Sequence, residues 1–444
     1  MTSIRFVPRA ATSRPACASD PPSPSRRAPI STRMAAPLAR IVLLVGVVVL
    51  GCSSCRESTP ASGGGAAKIE DEVEFSFVVV GCNQVGWPAS REGRLLIGSS
   101  TANEPQLEQT LRDVAALPRR PEYFFLVGDL VRNETSGEVL AGQLEAWQRL
   151  WSASPLAASE VRLVPIPGNH ELNRAVQTSA ENWYEVPDPD AAVVWRTWVD
   201  SRGGPHPTDT GPTAASHGGD LLTGPRGSHS WWFDAEDARG GSIRFVVLDT
   251  DSRSTAMPPD ECLQEPPDAV EFEGRRVPGT RGLMVPGWTP VSWLDETLEA
   301  SETSSRIFVL GHKPILWPED ADPASFDSDG NGSIFNCGEH RLAASMCELL
   351  GERESIVAYL CAHRHRWSYA TIAGGVRQLI AGNGGSLLDE GVPQEFGFTV
   401  IELWRSGRVT ATSWTRPAPT PIDLREGVRA AKPNPPVEIR AADG

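Results

Sequence analysis

Side chains that could bind a metal ion recur directly after short apolar runs of this sequence. The set comprises Asp129, Asn169, His312, His363 and His365. A carboxylate, an amide oxygen and three imidazoles together suit a borderline divalent metal such as zinc, iron or manganese. Any one of these residues after a strand would more often be part of an ordinary turn. Five of them in order make a shared metal site the better interpretation.

The elements that must position this set alternate between strands and helices. Apolar, β-branched runs predict buried strands at residues 74–80, 123–127, 161–166, 243–248, 306–310 and 356–360. A helical spacing of apolar residues predicts helices at residues 105–117, 136–151 and 293–298. Open α/β sheets build their sites just beyond the ends of their strands. We therefore expect the five side chains to converge at one edge of the sheet.

With these blocks the chain resembles the calcineurin-like metallophosphoesterase superfamily, which includes the purple acid phosphatases. The resemblance covers about residues 74–414. Its most specific blocks are Gly128-Asp129, Gly168-Asn-His-Glu171, Gly311-His312 and Ala362-His-Arg-His365, and Ile380–Gly385 is similar to the family's later glycine-rich loop. The resemblance implies a mixed α/β (or α+β) fold, a four-layer αββα sandwich with long loop insertions and with two metals at the strand ends.

The resemblance also implies a role for each member of the set. Asp129 would bridge both metals. Asn169, His312 and His363 would complete the shell of one metal, and His365 would bind the other. The expected cofactor is therefore one or two divalent or trivalent ions, with zinc, iron and manganese as the candidates.

The implied reaction is hydrolysis of a phosphomonoester or phosphodiester. Two close cations lower the pKa of a shared water, so that hydroxide forms near neutral pH, and they offset charge on the phosphate. His170 would not be a ligand but would stand near the leaving group, where an imidazole could act as general acid. Lys313 and Arg364, which adjoin ligands in the sequence, are candidates for phosphate binding, with solvent-facing charges as the alternative.

The first block departs from the family, which normally carries Asp-x-His after its first strand. Here Cys82 stands at the place of the aspartate and Gln84 at that of the histidine. A thiolate is a good, soft ligand, whereas an amide is a weak one. Three outcomes stay open: a cysteine-containing site with altered metal preference, a single metal in the shell without His365, or a binding protein without turnover. We expect Cys82 or Asn83 to reach the metal, with a merely buried Cys82 as the alternative.

The composition indicates a globular, acidic and loop-rich protein. Of 444 residues, 40% are hydrophobic and 22% are charged, which excludes wholesale disorder. The formal net charge of -15 repels polyanions, so no long nucleic acid is expected as a partner. The expected substrate is instead a phosphorylated small molecule or another phosphoester. The 41 glycines and 38 prolines predict that much of the chain forms loops and turns.

The N-terminal residues indicate export. Arg40 precedes the apolar run 41–50, a pattern typical of a secretory signal and too short for a bilayer span of roughly 20 residues. Val49-Leu-Gly-Cys52 resembles the lipobox of bacterial lipoproteins, in which the cysteine thiol is lipidated. The alternative is an ordinary signal with an incidental cysteine. We therefore expect a lipid-anchored protein of the bacterial cell envelope, on the periplasmic face or the cell surface.

Four segments follow from these patterns. They are a disordered leader and lipoprotein-type signal peptide at residues 1–51, a flexible tether at 52–72, the metallophosphoesterase domain at 73–415 and a Pro-rich tail at 416–444. Within the domain, residues 186–228, 251–290 and 317–337 lack a regular pattern and predict lids or substrate-binding loops. The expected function is that of an exported phosphoesterase. The alternative is a weak or inactive family member that binds phosphate or a partner at the cell surface.

Overall fold

The computed structural model describes the parts of the chain that carry most of these patterns. They are residues 71–86, 103–132, 137–177, 183–201, 229–251, 270–272, 275–277, 291–301, 304, 306–315, 346–351, 353–418 and 428–440. All of them belong to one compact unit, Lys68–Gly444, and Met1–Ala67 forms another unit. The expected leader, the lipidated Cys52 and residues 52–70 of the tether lie outside the described residues. Among the residues described, no helix is long and apolar enough to cross a membrane.

The first of two large sheets has seven strands. In spatial order they are β16 (Lys432–Pro433), β15 (Val409–Pro417), β14 (Glu395–Trp404), β1 (Val73–Val80), β2 (Tyr123–Val127) and β3 (Arg162–Ile166), with β17 (Val437–Arg440) also paired to β15. Strands β1, β2 and β3 run parallel, whereas β14 and β15 form an antiparallel hairpin beside β1. The carboxyl ends of β1, β2 and β3 therefore lie at one edge of this sheet.

The second large sheet has six strands. In spatial order they are β12 (Trp367–Thr371), β13 (Arg377–Ala381), β11 (Ile356–Cys361), β10 (Arg306–Leu310), β7 (Ser242–Val247) and β6 (Trp231–Glu236). The four inner strands are parallel and the two edge strands are antiparallel to their neighbours. Two small hairpins stand apart from these sheets, β4 (Asn173–Gln177) with β5 (Trp183–Pro187), and β8 (Val270–Phe272) with β9 (Arg275–Val277).

Helices cover the outer faces of both sheets. They are α1 (Asn103–Ala115), α2 (Gly137–Ala153), the single turn α3 (Asn169–Leu172), α4 (Pro189–Asp200) and α5 (Val291–Glu299), and residues 346–351 are also helical. Apolar residues of α1, α2 and α4 pack on one face of the first sheet. Those of α5 and of residues 346–350 pack on one face of the second sheet.

Helix α4 and the β8–β9 hairpin fall in stretches for which no regular structure was expected. Residues 186–228 were predicted to be irregular, and for α4 that prediction is wrong. The Asp188 carboxylate caps the helix by accepting from the N–H groups of Asp190 (3.0 Å) and Ala191 (3.4 Å), and Pro189 suits the first helical turn. The helix forms because Trp198 packs edge-on against Trp147 of α2, with ring centroids 5.9 Å apart.

The inner faces of the two sheets share a core of phenylalanines. The ring centroid of Phe77 on β1 lies 5.3 Å from that of Phe245 on β7 and 5.0 Å from that of Phe308 on β10. These near-perpendicular contacts are the geometry that aromatic pairs prefer. With helices on both outer faces, the order of layers is αββα. The predicted four-layer sandwich is confirmed.

The folded unit continues past residue 415, the expected end of the domain. Strands β16 and β17 pair with β15, and Ile439 of β17 is buried in the core between the sheets. The described residues 416–418 and 428–440 therefore belong to the fold. The short alternation Val437-Glu-Ile439 places apolar side chains inward and a charge outward, a strand signal that the surrounding prolines obscure.

A buried arginine ties this end of the chain to α1. The Arg416 guanidinium donates to Asp113 Oδ2 (3.1 Å), to Thr110 Oγ1 (2.7 Å) and to the Gln106 carbonyl (2.7 Å). Burial lowers the pKa of Arg416 to about 10, although Asp113 opposes that fall. At this pKa the guanidinium is charged at neutral pH. The interaction is therefore a buried ion pair.

Replacing Arg416 with alanine should destabilise the fold strongly, because Asp113 would stay buried without its counter-charge. We expect a loss of about 3–5 kcal/mol in the free energy of unfolding, measured by urea titration. Arg112→Ala on the same helix is the control, since the contacts of Arg112 with Glu108 and Gln109 are exposed and their loss should cost under about 0.5 kcal/mol. If Arg416→Ala and Arg112→Ala unfolded at the same urea concentration, this account of the ion pair would be contradicted.

Candidate metal site

The loops that follow five parallel strands, three in one sheet and two in the other, meet at a common edge. Backbone and side-chain hydrogen bonds join the two sheets there: Gly81 N–H donates to the Ala381 carbonyl (2.8 Å), and His312 Nδ1 donates to the Val127 carbonyl (2.8 Å). All five residues of the predicted set lie at this edge, after β2, β3, β10 and β11. The structure therefore brings together the side chains that the sequence placed at separate strand ends.

Four of these residues direct one atom each at a common point, and we call them the four-donor group. His312 Nε2 lies 3.2 Å from Asp129 Oδ1 and 3.1 Å from Asn169 Oδ1. His363 Nδ1 lies 3.2 Å from the same Asn169 oxygen and 3.1 Å from His312 Nε2. Because His312 Nε2 carries at most one proton but approaches three of these atoms, hydrogen bonds alone do not account for all these approaches.

The spacing fits a first-row divalent ion. Ligand atoms at about 2.0–2.1 Å from one ion lie roughly 3.3–3.4 Å apart in a tetrahedron and roughly 2.8–3.0 Å apart in an octahedron. The observed separations of 3.1–3.2 Å fall between these values. The Val127 carbonyl takes the proton of His312 Nδ1, which leaves the Nε2 lone pair for a metal. The donor atoms thus fit a zinc, iron or manganese ion.

Electrostatics at the four-donor group also favour a cation. Burial alone would raise the pKa of Asp129, but His312 and His170 outweigh it and hold that pKa well below its usual range. Burial alone would lower the pKa of His312, but Asp129 raises it to about 9. Burial and the neighbouring His312 hold the pKa of His363 well below its usual value. A proton on His312 therefore neutralises the Asp129 charge in this site, and a bound metal ion would neutralise it in the same way.

The second Asp129 oxygen belongs to another set, the cysteine group, which comprises Cys82, Asp129 and His365. Their potential ligand atoms all lie within 4.8 Å of one another, and Cys82 Sγ is 3.9 Å from Asp129 Oδ2. His365 Nδ1 donates to the Leu387 carbonyl (2.6 Å), which leaves its Nε2 facing the group. Asp129 is thus shared by the two groups. Burial, and after it Asp129, raise the pKa of the Cys82 thiol well above its usual value.

The residues beside Cys82 turn in different directions. Asn83 Nδ2 donates to the Gly384 carbonyl (3.1 Å), which joins Asn83 to the glycine-rich loop. Gln84 Nε2 approaches Asp129 Oδ2 (3.2 Å) and His365 Nε2 (3.4 Å). Of the two residues expected to reach the metal zone, Cys82 lies among the potential ligand atoms. The carboxamide of Gln84 reaches it as well.

His170 stands beside the four-donor group without joining it. Its Nε2 is 3.9 Å from Asp129 Oδ2, and its backbone N–H donates to Asp129 Oδ1 (3.3 Å). Arg132 Nη1 lies 3.3 Å from the same His170 nitrogen. Sequence reasoning missed Arg132. The available signal was its position three residues after Asp129, in the loop that follows β2.

The two cations that were proposed for phosphate binding already have carboxylate partners. Lys313 is buried, 3.4 Å from Asp251 Oδ1, so it does not face solvent. Arg364 Nε lies 2.9 Å from Asp389 Oδ2. Each partner holds its cation in place. The Arg132 guanidinium, in contrast, contacts a candidate site residue, His170.

Glu171 fixes the loop that carries Asp129. Its carboxylate accepts from the backbone N–H groups of Asp129 (2.9 Å), Val131 (3.1 Å) and Gly168 (2.7 Å). Burial, and after it the Asp129 carboxylate, raise the pKa of Glu171 to about 8. A single buried side chain therefore holds the loops after β2 and β3 in register.

The change Glu171→Gln should weaken metal binding without removing a ligand. In the natural chain both carboxylate oxygens of Glu171 accept from backbone N–H groups. In the variant the amide NH₂ would face one of these N–H groups and could not accept from it, so the Asp129 loop should shift. We expect a 10- to 100-fold rise in the zinc dissociation constant, which is typical for loss of a residue that orients a ligand, measured by chelator competition. Glu122→Gln is the control, because Glu122 accepts from Ser76 N–H (2.7 Å) just before β2, away from the site. An unchanged constant for Glu171→Gln would contradict this role.

The backbone at the site is in an unusual conformation. In the described part of the chain, four residues other than glycine have positive φ: Cys82 (55°), Gln84 (48°), Asp129 (55°) and His363 (63°). Such left-handed conformations are uncommon outside glycine and gather at functional sites. Gly128, at φ 87°, is required for another reason, since a Cβ there would lie 2.1 Å from His312 Nδ1. The local backbone thus aims the donor atoms.

Comparison with known proteins gives a match to one family over most of the described domain. The family model described as calcineurin-like phosphoesterase matches residues 75–367. No curated protein matches the sequence significantly.

Solved structures with a related arrangement have low sequence identity to the chain. A dimetal phosphatase from Danio rerio is 15% identical, with a TM-score of 0.45 over 77% of this chain and 96% of that one. A purple acid phosphatase from yellow lupin (Lupinus luteus) seeds is 11% identical, with a TM-score of 0.44. That match covers 77% of this chain and 51% of the lupin protein, so this chain spans about half of its length.

Proposed function

The chain belongs to the calcineurin-like phosphoesterase family, whose members are metal-dependent hydrolases, and on that premise we propose that it hydrolyses phosphomonoesters or phosphodiesters. The observation that carries the proposal is the convergence of the four-donor group, whose atoms lie 3.1–3.2 Å apart. A divalent ion held there would polarise the phosphoryl oxygens, lower the pKa of water and offset charge in the transition state. Zinc, iron and manganese are the candidates.

The residues around the ion would carry the remaining steps. Water would add to phosphorus in line and release a proton to solvent while the bond to the ester oxygen breaks, and His170 would give that leaving oxygen a proton. Arg132, 3.3 Å from His170 Nε2, would bind phosphate oxygens, since a guanidinium matches their geometry in two places at once. Asp129 and the rest of the four-donor group would hold the ion.

The test is an assay of chromogenic phosphomonoesters and phosphodiesters. Purified protein is stripped with a chelator and then supplied with zinc, manganese or iron, one at a time. We expect hydrolysis only with added metal, and we expect it to disappear in His312→Ala. Equal rates with and without chelator, or no hydrolysis of either ester class with any of the three metals, would contradict the proposal.

One observation favours a second candidate function, that of a phosphate- or partner-binding protein with little turnover. The Gln84 amide reaches the cysteine group, where a metal ligand would serve hydrolysis better. A binder would still retain metal and phosphate. Isothermal titration with inorganic phosphate, run on the same metal-loaded sample as the ester assay, separates the two functions, because only the binder takes up phosphate without cleaving any ester.

For the N-terminus we propose export and lipid anchoring at the cell envelope. The support is the run 41–50 followed by Gly51-Cys52, both outside the described residues. The partner implied is membrane lipid, attached through the Cys52 thiol after cleavage. Mass spectrometry of the protein from bacterial membranes should find a mature chain that begins at a lipidated Cys52. An unmodified N-terminus at any other residue would contradict this proposal.

A further inference from the structure

Gln84 lies where a metal ion in the cysteine group would have to bind. Its Nε2 is 3.2 Å from Asp129 Oδ2 and 3.4 Å from His365 Nε2, two of the three ligand atoms of that group. Its side chain is fully buried. Whether the amide nitrogen or the amide oxygen lies at this point therefore decides whether a metal ion can bind in the cysteine group.

Arg132 and Ser386 determine which end of the carboxamide faces the group. Arg132 Nη1 lies 3.2 Å from the other amide atom, and a guanidinium can only donate. That atom must therefore be the oxygen Oε1, which also accepts from Ser386 Oγ (2.6 Å). A flipped amide would set an N–H group against the Arg132 N–H. The nitrogen of Gln84 consequently faces Asp129 and His365.

The resulting hydrogen bonds form a matched set. His365 Nδ1 donates its proton to the Leu387 carbonyl, so His365 Nε2 can accept from Gln84. The two N–H bonds of the carboxamide thus meet an imidazole lone pair and a carboxylate oxygen. Cys82 Sγ is within 3.9 Å of that same oxygen. The lone pairs that would bind an ion instead accept protons.

We propose that the Gln84 carboxamide takes the place of a second cation, so that the chain binds one metal ion, in the four-donor group. This inference rests on the proposed function for its meaning. The amide N–H group occupies the space between Asp129 and His365 and presents protons to any ion there, whereas an amide nitrogen is not a metal ligand. Gln84 is then a positioning residue, which holds Asp129 Oδ2 while Oδ1 faces the single ion.

The experiment counts metal ions without reference to catalysis. Purified protein, stripped and re-equilibrated with excess zinc, is desalted, and bound zinc per chain is measured by mass spectrometry of the elements. We expect one equivalent for the natural chain, one for His365→Ala and none for His312→Ala. Two equivalents in the natural chain, or loss of the ion in His365→Ala with retention in His312→Ala, would overturn the proposal.

Two substitutions at Gln84 should create the second site. Gln84→Glu keeps the shape but replaces the N–H group with a second oxygen, and Gln84→His supplies an imidazole lone pair. We expect two equivalents of zinc in at least one of these variants. If circular dichroism shows both variants folded and both bind a single ion, the amide is not what excludes the second cation, and the proposal fails.

Cobalt adds a readout that is specific for the thiol. In the natural chain loaded with cobalt we expect no thiolate-to-cobalt charge-transfer band, because Cys82 is not a ligand. A band that vanishes in Cys82→Ala would overturn the proposal. The ester assay stays independent: one equivalent of metal without hydrolysis refutes the proposed function alone, and two equivalents with hydrolysis refute this inference alone.

Discussion

Replacing Asp129 with asparagine should remove both bound metal and ester hydrolysis. The change keeps the size of the side chain but deletes the charge that both groups share, since Oδ1 lies 3.2 Å from His312 Nε2 and Oδ2 is 3.9 Å from Cys82 Sγ. We expect kcat/KM to fall on the order of 10³-fold or more, the scale of losing one strong electrostatic contact in a closed site. Elemental analysis and the chromogenic assay, run on one preparation, check both effects.

Asp249→Asn is the matched control for this prediction. Asp249 is also a buried carboxylate just beyond a strand, but it accepts from the backbone N–H groups of His229 (3.0 Å) and Asp251 (3.1 Å). We expect this variant to retain metal. If Asp129→Asn bound metal as tightly as Asp249→Asn, Asp129 would not be a ligand.

The change His170→Ala should slow hydrolysis by about 10²- to 10⁴-fold while leaving metal content unchanged. The reason is its position: His170 is buried beside Asp129 and Arg132, yet it contributes no atom to either donor group. A lost general acid costs most where the leaving oxygen is a poor leaving group. We therefore expect a larger loss for an alkyl phosphate than for a nitrophenyl phosphate.

His229→Ala is the control for His170. His229 is a comparably buried imidazole, and its backbone N–H donates to Asp249. We expect His229→Ala to leave unchanged the ratio between the hydrolysis rates of the alkyl phosphate and the nitrophenyl phosphate. Two results for His170→Ala would refute the general-acid role. One is an equal loss of activity toward the alkyl and the nitrophenyl phosphate, and the other is loss of the bound metal.

The sequence predicts six of the parallel strands, β1, β2, β3, β7, β10 and β11, but neither β13 nor the antiparallel strands of the two large sheets. Strands β2 and β11 are apolar along their whole length, and β1 and β10 are mostly apolar, because helices cover one face and the other sheet covers the opposite face. Strand β12 has no buried residue, and so it carries no apolar run to detect. Helix α4 was missed for a related reason, since two prolines, Pro187 and Pro189, lie at its start and the apolar Val193 is exposed.

The five predicted ligands could be found because each follows a strand that the sequence marks clearly. The orientation of Gln84 could not, because it depends on residues far along the chain: Ser386 is 302 positions away and Arg132 is 48. The same holds for Glu171, whose three N–H partners come from two loops. Residue types near a strand end thus predict a site, and tertiary contacts decide which atoms face it.

The left-handed backbone at Cys82, Gln84, Asp129 and His363 has a consequence for protein engineering. Each of these conformations costs on the order of 1 kcal/mol, which glycine would recover. Directed evolution that rewards heat tolerance alone should accumulate glycine at these four positions and so erase the donor atoms. Laboratory selection for a hardier scaffold must therefore screen for retained metal in every round.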